Sequence, residues 1–166
     1  MATQIISTDN IGSGVRVNLG AVGDDAVVTQ GTSVVSTGID TFAIVGTGFD
    51  HQVLIAGEVI GYGGIQLGDS VHQNFNRLYI SSTGSIMAYG DTAVVIQGEQ
   101  SLVTNYGEII SDLTGVYAEG LAAKVVNYGT IQGHRGVQLG EGNIFGLGAA
   151  VLQNYGVISG IQGAFF

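Results

Sequence analysis

Three copies of Asn-Tyr-Gly, at Asn105 to Gly107, Asn127 to Gly129 and Asn154 to Gly156, constrain this chain more than any other feature. Each opens the same frame: Gly107-x-Ile109-x-Ser111, Gly129-x-Ile131-x-Gly133 and Gly156-x-Ile158-x-Gly160. An earlier copy lacks the Asn-Tyr pair but keeps the frame. The run Gly57 to Gly68 (Gly-x-Val-x-Gly-x-x-Gly-Ile-Gln-Leu-Gly) matches Gly129 to Gly140 at an offset of 72, with Val59 replaced by Ile131 and Ile65 by Val137. Gly23 to Gly31 and Gly90 to Gly98 agree at seven of nine positions. The Asn-Tyr-Gly copies stand 22 and 27 residues apart, and 72 is three units of 24. A unit of about two dozen residues cannot bury an apolar face alone. It must stack on its neighbours, which is the pattern of a solenoid.

Inside each unit apolar residues alternate, as in Val15/Val17/Leu19, Ile65/Leu67 and Val137/Leu139, and glycine bounds the runs. Alternation over three to five residues describes a short half-buried strand, and no glycine-free stretch carries an i, i+3, i+4, i+7 stripe. Of 166 residues 29 are glycine and none is proline. Glycine supplies positive φ at corners and room where backbones crowd. Proline would delete a ladder donor from an interior strand. The expectation is an all-β, single-domain β-solenoid (a parallel β-helix) of about seven short rungs over 1–166, with its clearest repeats at 53–166. A membrane β-barrel needs strands of roughly 9–11 residues, longer than the alternating runs here.

Charge narrows the function. Thirteen acidic against four basic residues give a net charge of -9. Nucleic acid is excluded as a partner, because its phosphates require a basic face. No segment carries the cations that an anionic lipid surface attracts, and none is long and apolar enough for insertion as a helix. The absence of cysteine removes disulfides and thiolate metal sites. Residues 1–10 show neither the basic cluster nor the apolar run of a signal peptide.

The Asn-x-Gly-x-Ile-x-Gly units, separated by Gly-(Val/Ile)-x-Leu-Gly, resemble the strand repeats of secreted bacterial β-solenoid proteins. These are the autotransporter passenger-like and type I-secreted, hemolysin-related adhesin repeats. The resemblance covers roughly residues 12–166. It implies an extracellular or cell-surface protein of adhesin or biofilm-matrix type, exported without a cleaved N-terminal signal peptide. The calcium-binding members repeat Gly-Gly-x-Gly-x-Asp in tandem, whereas Gly23-Asp24-Asp25 and Gly90-Asp91 are isolated here.

No cofactor is expected, with structural calcium the one alternative. Its candidate ligands are Asp24, Asp25, Asp40 and Asp91, hard oxygen donors at comparable frame positions, although Asp also favours turns on its own account. The candidate catalytic group is His134 and Arg135 with Lys124, a basic cluster of the kind used by solenoid polysaccharide lyases. Its position at a glycine-bounded corner is explained equally by solvation, and no nucleophile elbow or paired carboxylates accompany it. His51, His72 and His134 occupy unrelated frames. A threonine ice-binding face is excluded because Thr83, Thr104 and Thr130 share no register.

Tyr106, Tyr128 and Tyr155 hold one repeat position with outward parity, and so form an external aromatic ladder suited to a glycan, to a neighbouring solenoid, or to stiffening its own sheet. Asn105, Asn127 and Asn154 are expected to form a structural amide ladder. The end rungs offer open strand edges, with Ile5 and Ile6 at one end and Ile161, Phe165 and Phe166 at the other. The expected function is a non-enzymatic extracellular structural protein that self-associates head to tail into filaments or matrix. The alternatives are a monomeric adhesin that binds surface glycans and, third, a lyase-like enzyme.

Overall fold

A computed structural model describes residues 1–68, 75–140 and 150–165, with the backbone alone at Phe165. Phe166 and His72 lie outside the described residues. The chain repeats one motif, three short strands per turn. Turn 1 holds β1 (Thr3–Ile6), β2 (Asn10–Gly12) and β3 (Val17–Leu19), and turn 2 holds β4 (Asp25–Val28), β5 (Ser33–Ser36) and β6 (Phe42–Gly46). Turn 3 holds β7 (Gln52–Ile55), β8 (Glu58–Gly61) and β9 (Gly63–Leu67), and turn 4 holds β10 (Arg77–Ile80), β11 (Ser85–Ala88) and β12 (Val94–Gln97). Turn 5 has β13 (Leu102–Asn105), β14 (Glu108–Ser111) and β15 (Thr114–Glu119), and turn 6 has β16 (Lys124–Asn127), β17 (Thr130–Gln132) and β18 (Arg135–Leu139). Turn 7 has β19 (Val151–Asn154), β20 (Val157–Ser159) and β21 (Gln162–Phe165).

Every third strand pairs in parallel, giving three seven-stranded sheets. They are called face A (β1 to β19), face B (β2 to β20) and face C (β3 to β21). The protein is a β-solenoid with an all-β architecture. Consecutive strands of face A start 22 residues apart at Thr3 and Asp25 and 27 apart at Lys124 and Val151. The sheets stay in register because the corners absorb the difference.

Alternation puts one side of every strand into a dry bore. Val28, Ile55 and Ile80 stack on face A, Val59, Ile86, Ile109 and Ile131 on face B, and Ile65, Val94, Val116 and Val137 on face C, all of them buried. Each such side chain contributes about 1.5–3 kcal/mol of burial, and each backbone is hydrogen-bonded to the turns above and below.

The corner from face C to face A departs from the glycine expectation. Gly23, Asp50, Phe75, Gln100 and Ala122 occupy the same position, two residues before a face A strand, and all have positive φ of 55° to 71°. Only the first is glycine, so stacking imposes the left-handed conformation on four side chains that disfavour it. Ala122→Gly is expected to raise stability by about 1 kcal/mol in urea denaturation, since φ there is 55°.

Candidate functional site: the outer faces and the tyrosine corner

The corner from face A to face B explains all three residues of Asn-Tyr-Gly. The Asn ends a face A strand and points inward: Asn105 and Asn127 are fully buried. Asn105 Oδ1 accepts from the Gly107 amide at 3.0 Å, closing the turn, while Nδ2 of Asn105 donates to Asn127 Oδ1 at 2.8 Å. Asn127 Nδ2 donates in turn to Asn154 Oδ1 at 2.8 Å and to the carbonyls of Gly129 and Val157 at 3.2 Å. The ladder therefore has a direction, with each amide donating toward the C-terminal turn. The Gly follows where the next turn's backbone crowds: a Cβ on Gly107 would meet the Gly84 carbonyl, and one on Gly129 the Gly107 carbonyl.

The Tyr between them points out. Tyr106 and Tyr128 stack with centroids 4.6 Å apart and planes 5° from parallel, and Tyr128 and Tyr155 at 5.0 Å and 13°. Tyr79, which no Asn-Tyr-Gly motif marks, joins the stack at 5.6 Å and 43° from the outer side of β10. Stacked faces are occupied by their neighbours, so the ladder presents ring edges and hydroxyls to solvent. Tyr155, the most exposed ring of the stack at 65%, has no further ring beyond it among the described residues.

Two outer faces carry apolar columns that run into this corner. On face A the third strand position holds Ile5, Val27, Leu54 and Tyr79 in turns 1 to 4, aligned by register. On face B it holds Ile11, Val35, Ile60, Met87 and Ile110 in turns 1 to 5. Ile5, Ile11 and Met87 are 68%, 60% and 40% exposed. Face C differs: its outward position is mixed, with Asn18, Val45, Gln66, Val95, Tyr117 and Gln138. A cavity of about 380 Å³ lies on face A, bordered by Asp25, Gln52, Arg77 and Tyr79 with Leu54 and Leu102. The sequence signal for these columns was the doubled apolar residue in most turns, such as Val27-Val28, Leu54-Ile55, Ile86-Met87 and Ile109-Ile110. One member of each pair faces the bore and the other faces solvent.

The first turn ends differently from the last. Gln4, Asn10 and Arg16 take three of its inward positions, over Ala26, Val34 and Ala43, while Val17 and Leu19 remain in the apolar core. Arg16 donates through Nε and Nη2 to Asn10 Oδ1 at 3.2 and 3.0 Å and through Nη1 to the Ser13 carbonyl at 2.9 Å. Gln4 Nε2 donates to the Asn18 carbonyl at 2.8 Å. These side chains form a polar lid inside the first rung. Turn 7 puts Leu152 and Ile158 on the core. Val157 and Ile161 are exposed, and residues 150–165 contain no charged side chain. Of the other end residues, Ile5 points out, Ile6 packs against the core, and the backbone of Phe165 lies in β21.

Asp24, Asp40 and Asp91 serve corners, Asp25 opens β4, and the four are not gathered into one set. Asp24 accepts from the Ala2 and Ala21 amides at 2.8 and 3.0 Å, and these bonds, with the Met1 ammonium 3.8 Å away, hold its carboxyl below the usual range. Asp25 Oδ1 accepts from the Gln52 amide at 2.9 Å, and Asp91 Oδ1 from the Thr92 amide at 2.6 Å. Asp40, its φ 56°, sits by Tyr62, whose hydroxyl it pushes up by its charge and by a hydrogen bond. Among the described residues no three His, Asp or Glu side chains converge as a metal site. His51 is buried with Nδ1 2.8 Å from the Asp24 carbonyl and Nε2 3.1 Å from that of Thr47. Lys124 lies on face A and Arg135 on face C, where its guanidinium contacts Gln162 Oε1 at 3.0 Å and Gln138 Oε1 at 3.2 Å. His134 is exposed at the corner before β18. The fold therefore does not bring the basic trio together.

Protein-family models, curated proteins and solved structures contain no match to this chain.

Proposed function

We propose that this chain is a non-enzymatic extracellular structural protein whose activity is self-association into a filament or matrix. The observation that carries the reading is the pair of exposed apolar columns on faces A and B, which meet the tyrosine stack at their shared corner. A row of exposed and half-buried apolar side chains at one position of successive turns is a candidate interaction surface, and a repetitive surface offers the same contact at every turn. Head-to-tail stacking would press Leu152, Asn154 and Ile158 onto the polar lid and bury the Arg16 guanidinium with no carboxylate against it, a costly arrangement. That cost favours lateral contact through the outer faces.

A monomeric glycan-binding adhesin is the second reading. It is favoured by the cavity on face A, where Gln52, Asp25 and Arg77 offer hydrogen-bonding groups beside the Tyr79 ring. Light scattering over a concentration series at physiological salt, with negative-stain imaging, separates the two. Mass rising with concentration into elongated particles is the expected result. A fixed monomer mass, with glycan-array binding lost in Tyr79→Ala, would instead establish the adhesin.

A further inference from the structure

We propose that the self-association contact joins face A of one molecule to face B of a second copy, with the two solenoid axes antiparallel. The inference rests on the self-association reading and adds the surface, the partner face and the orientation.

The argument begins with where charge lies beside the apolar columns. On face A the first outward position of each strand holds Thr3, Asp25, Gln52, Arg77, Leu102, Lys124 and Val151 from turn 1 to turn 7. Two of the chain's four basic side chains therefore stand on this face, in turns 4 and 6, with one strand between them. Among the described residues neither pairs with a carboxylate of its own chain. On face B the equivalent position holds Glu58 in turn 3 and Glu108 in turn 5, with Ser85 between them. Both pairs are thus spaced by two strand separations, about 10 Å at the usual inter-strand distance. On both faces the charge sits two residues before the apolar column.

Geometry then selects the orientation. When two copies of a solenoid meet side to side with parallel axes, the strands of the touching faces run in opposite directions, so charge on one copy meets the apolar column of the other. Reversing one axis makes the strands run the same way, and charge faces charge while column faces column. Setting turn 4 of face A against turn 5 of face B then puts Arg77 opposite Glu108 and Lys124 opposite Glu58. In the same register Tyr79 faces Ile110, Thr104 faces Met87, and the buried Val126 lies opposite Ile60, while Leu54 and Val27 fall opposite Gln132 and Ser159. Asp25 falls opposite Val157, so no like charges meet. Face A against face A with the same reversal, centred on turn 4, sets Arg77 on Arg77, and face B against face B sets Glu58 on Glu108. Complementary charge fixes partner and register in this way, and the apolar contact around the charged pairs comes from Tyr79 on face A with Ile110, Met87 and Ile60 on face B. A contact between two different faces leaves a free face A and a free face B on each pair, so it propagates.

The test is a charge exchange between copies. Arg77→Glu with Lys124→Glu makes one variant, and Glu58→Lys with Glu108→Lys makes another. All four side chains lie outside the bore, and circular dichroism checks that each variant keeps its β signal. Alone, each variant is expected to need at least about tenfold higher concentration than wild type to assemble, because like charges now face each other. Mixed in equal amounts they are expected to associate again, since the acidic face A of the first fits the basic face B of the second. The single exchanges Arg77→Glu and Glu108→Lys give the same crossed comparison if a double variant does not fold. Wild type that stays monomeric overturns both this contact and the self-association reading. Wild type that assembles while the variants assemble equally well, or variants that stay apart when mixed, overturns this contact alone.

Discussion

Asn127→Asp is expected to cost about 3–5 kcal/mol at pH 7, more than Asn127→Ala at about 2–3 kcal/mol. The Asn127 side chain is fully buried, and its Nδ2 donates to three acceptors: Asn154 Oδ1, the Gly129 carbonyl and the Val157 carbonyl. A carboxylate has no proton for any of them. It would set its negative oxygen against three others, with no cation bonded there among the described residues. Alanine removes the bonds without adding the charge, although Asn105 Nδ2 loses the acceptor it holds at 2.8 Å. The pH dependence follows from burial, which raises the pKa of the introduced acid above its unfolded value. The folded state then binds a proton more readily than the unfolded state, so the penalty is full above the raised pKa and shrinks as pH falls through it. Urea denaturation of both variants at pH 7 and near pH 4 reads this directly. Equal stability of Asp and Ala variants at the two pH values would mean that the ladder is hydrated in solution.

Gly129→Val is expected to cost about 3 kcal/mol or more, the upper end of the overpacking range. Its cause is backbone and not side chain. The Cβ would meet the Gly107 carbonyl oxygen, and Gly107 itself sits against the Gly84 carbonyl, so nothing in this corner can yield without shifting the turn beneath. Gly156 repeats the contact against Gly129, so the strain is shared by both neighbouring turns. Gly20 is the matched control. A Cβ there meets nothing within 4 Å and its φ is not left-handed, so Gly20→Ala is expected to stay within about 0.5 kcal/mol of wild type. Thermal denaturation of the two variants beside wild type measures the contrast. A tolerated valine at 129 would mean that the corners are looser than their stacking implies.

The repetitive part of this protein is legible in its residues alone. Stacking requires the same residue type at the same place in every turn wherever backbones or buried groups touch. Ile109 and Ile131 therefore had to repeat, as did Gly107 and Gly129 and the Asn above each of them. Such positions are legible because a single unit already states the constraint. Parity also placed the Asn-Tyr-Gly tyrosines outside. What remained hidden lies where stacking does not dictate type. The left-handed corner is held by Asp50, Phe75, Gln100 and Ala122, because the turns on either side enforce a conformation that no residue there advertises. The Arg16 lid has no repeat partner, because no other turn places an arginine at that inward position. Tyr79 reaches the stack from a strand and not from the corner motif. The outer columns, and the two-turn spacing of Arg77 and Lys124 against Glu58 and Glu108, depend on which residues of turns 22 and 27 residues long fall level. Level alignment is set by how each corner takes up its surplus residues, and only the folded backbone records it.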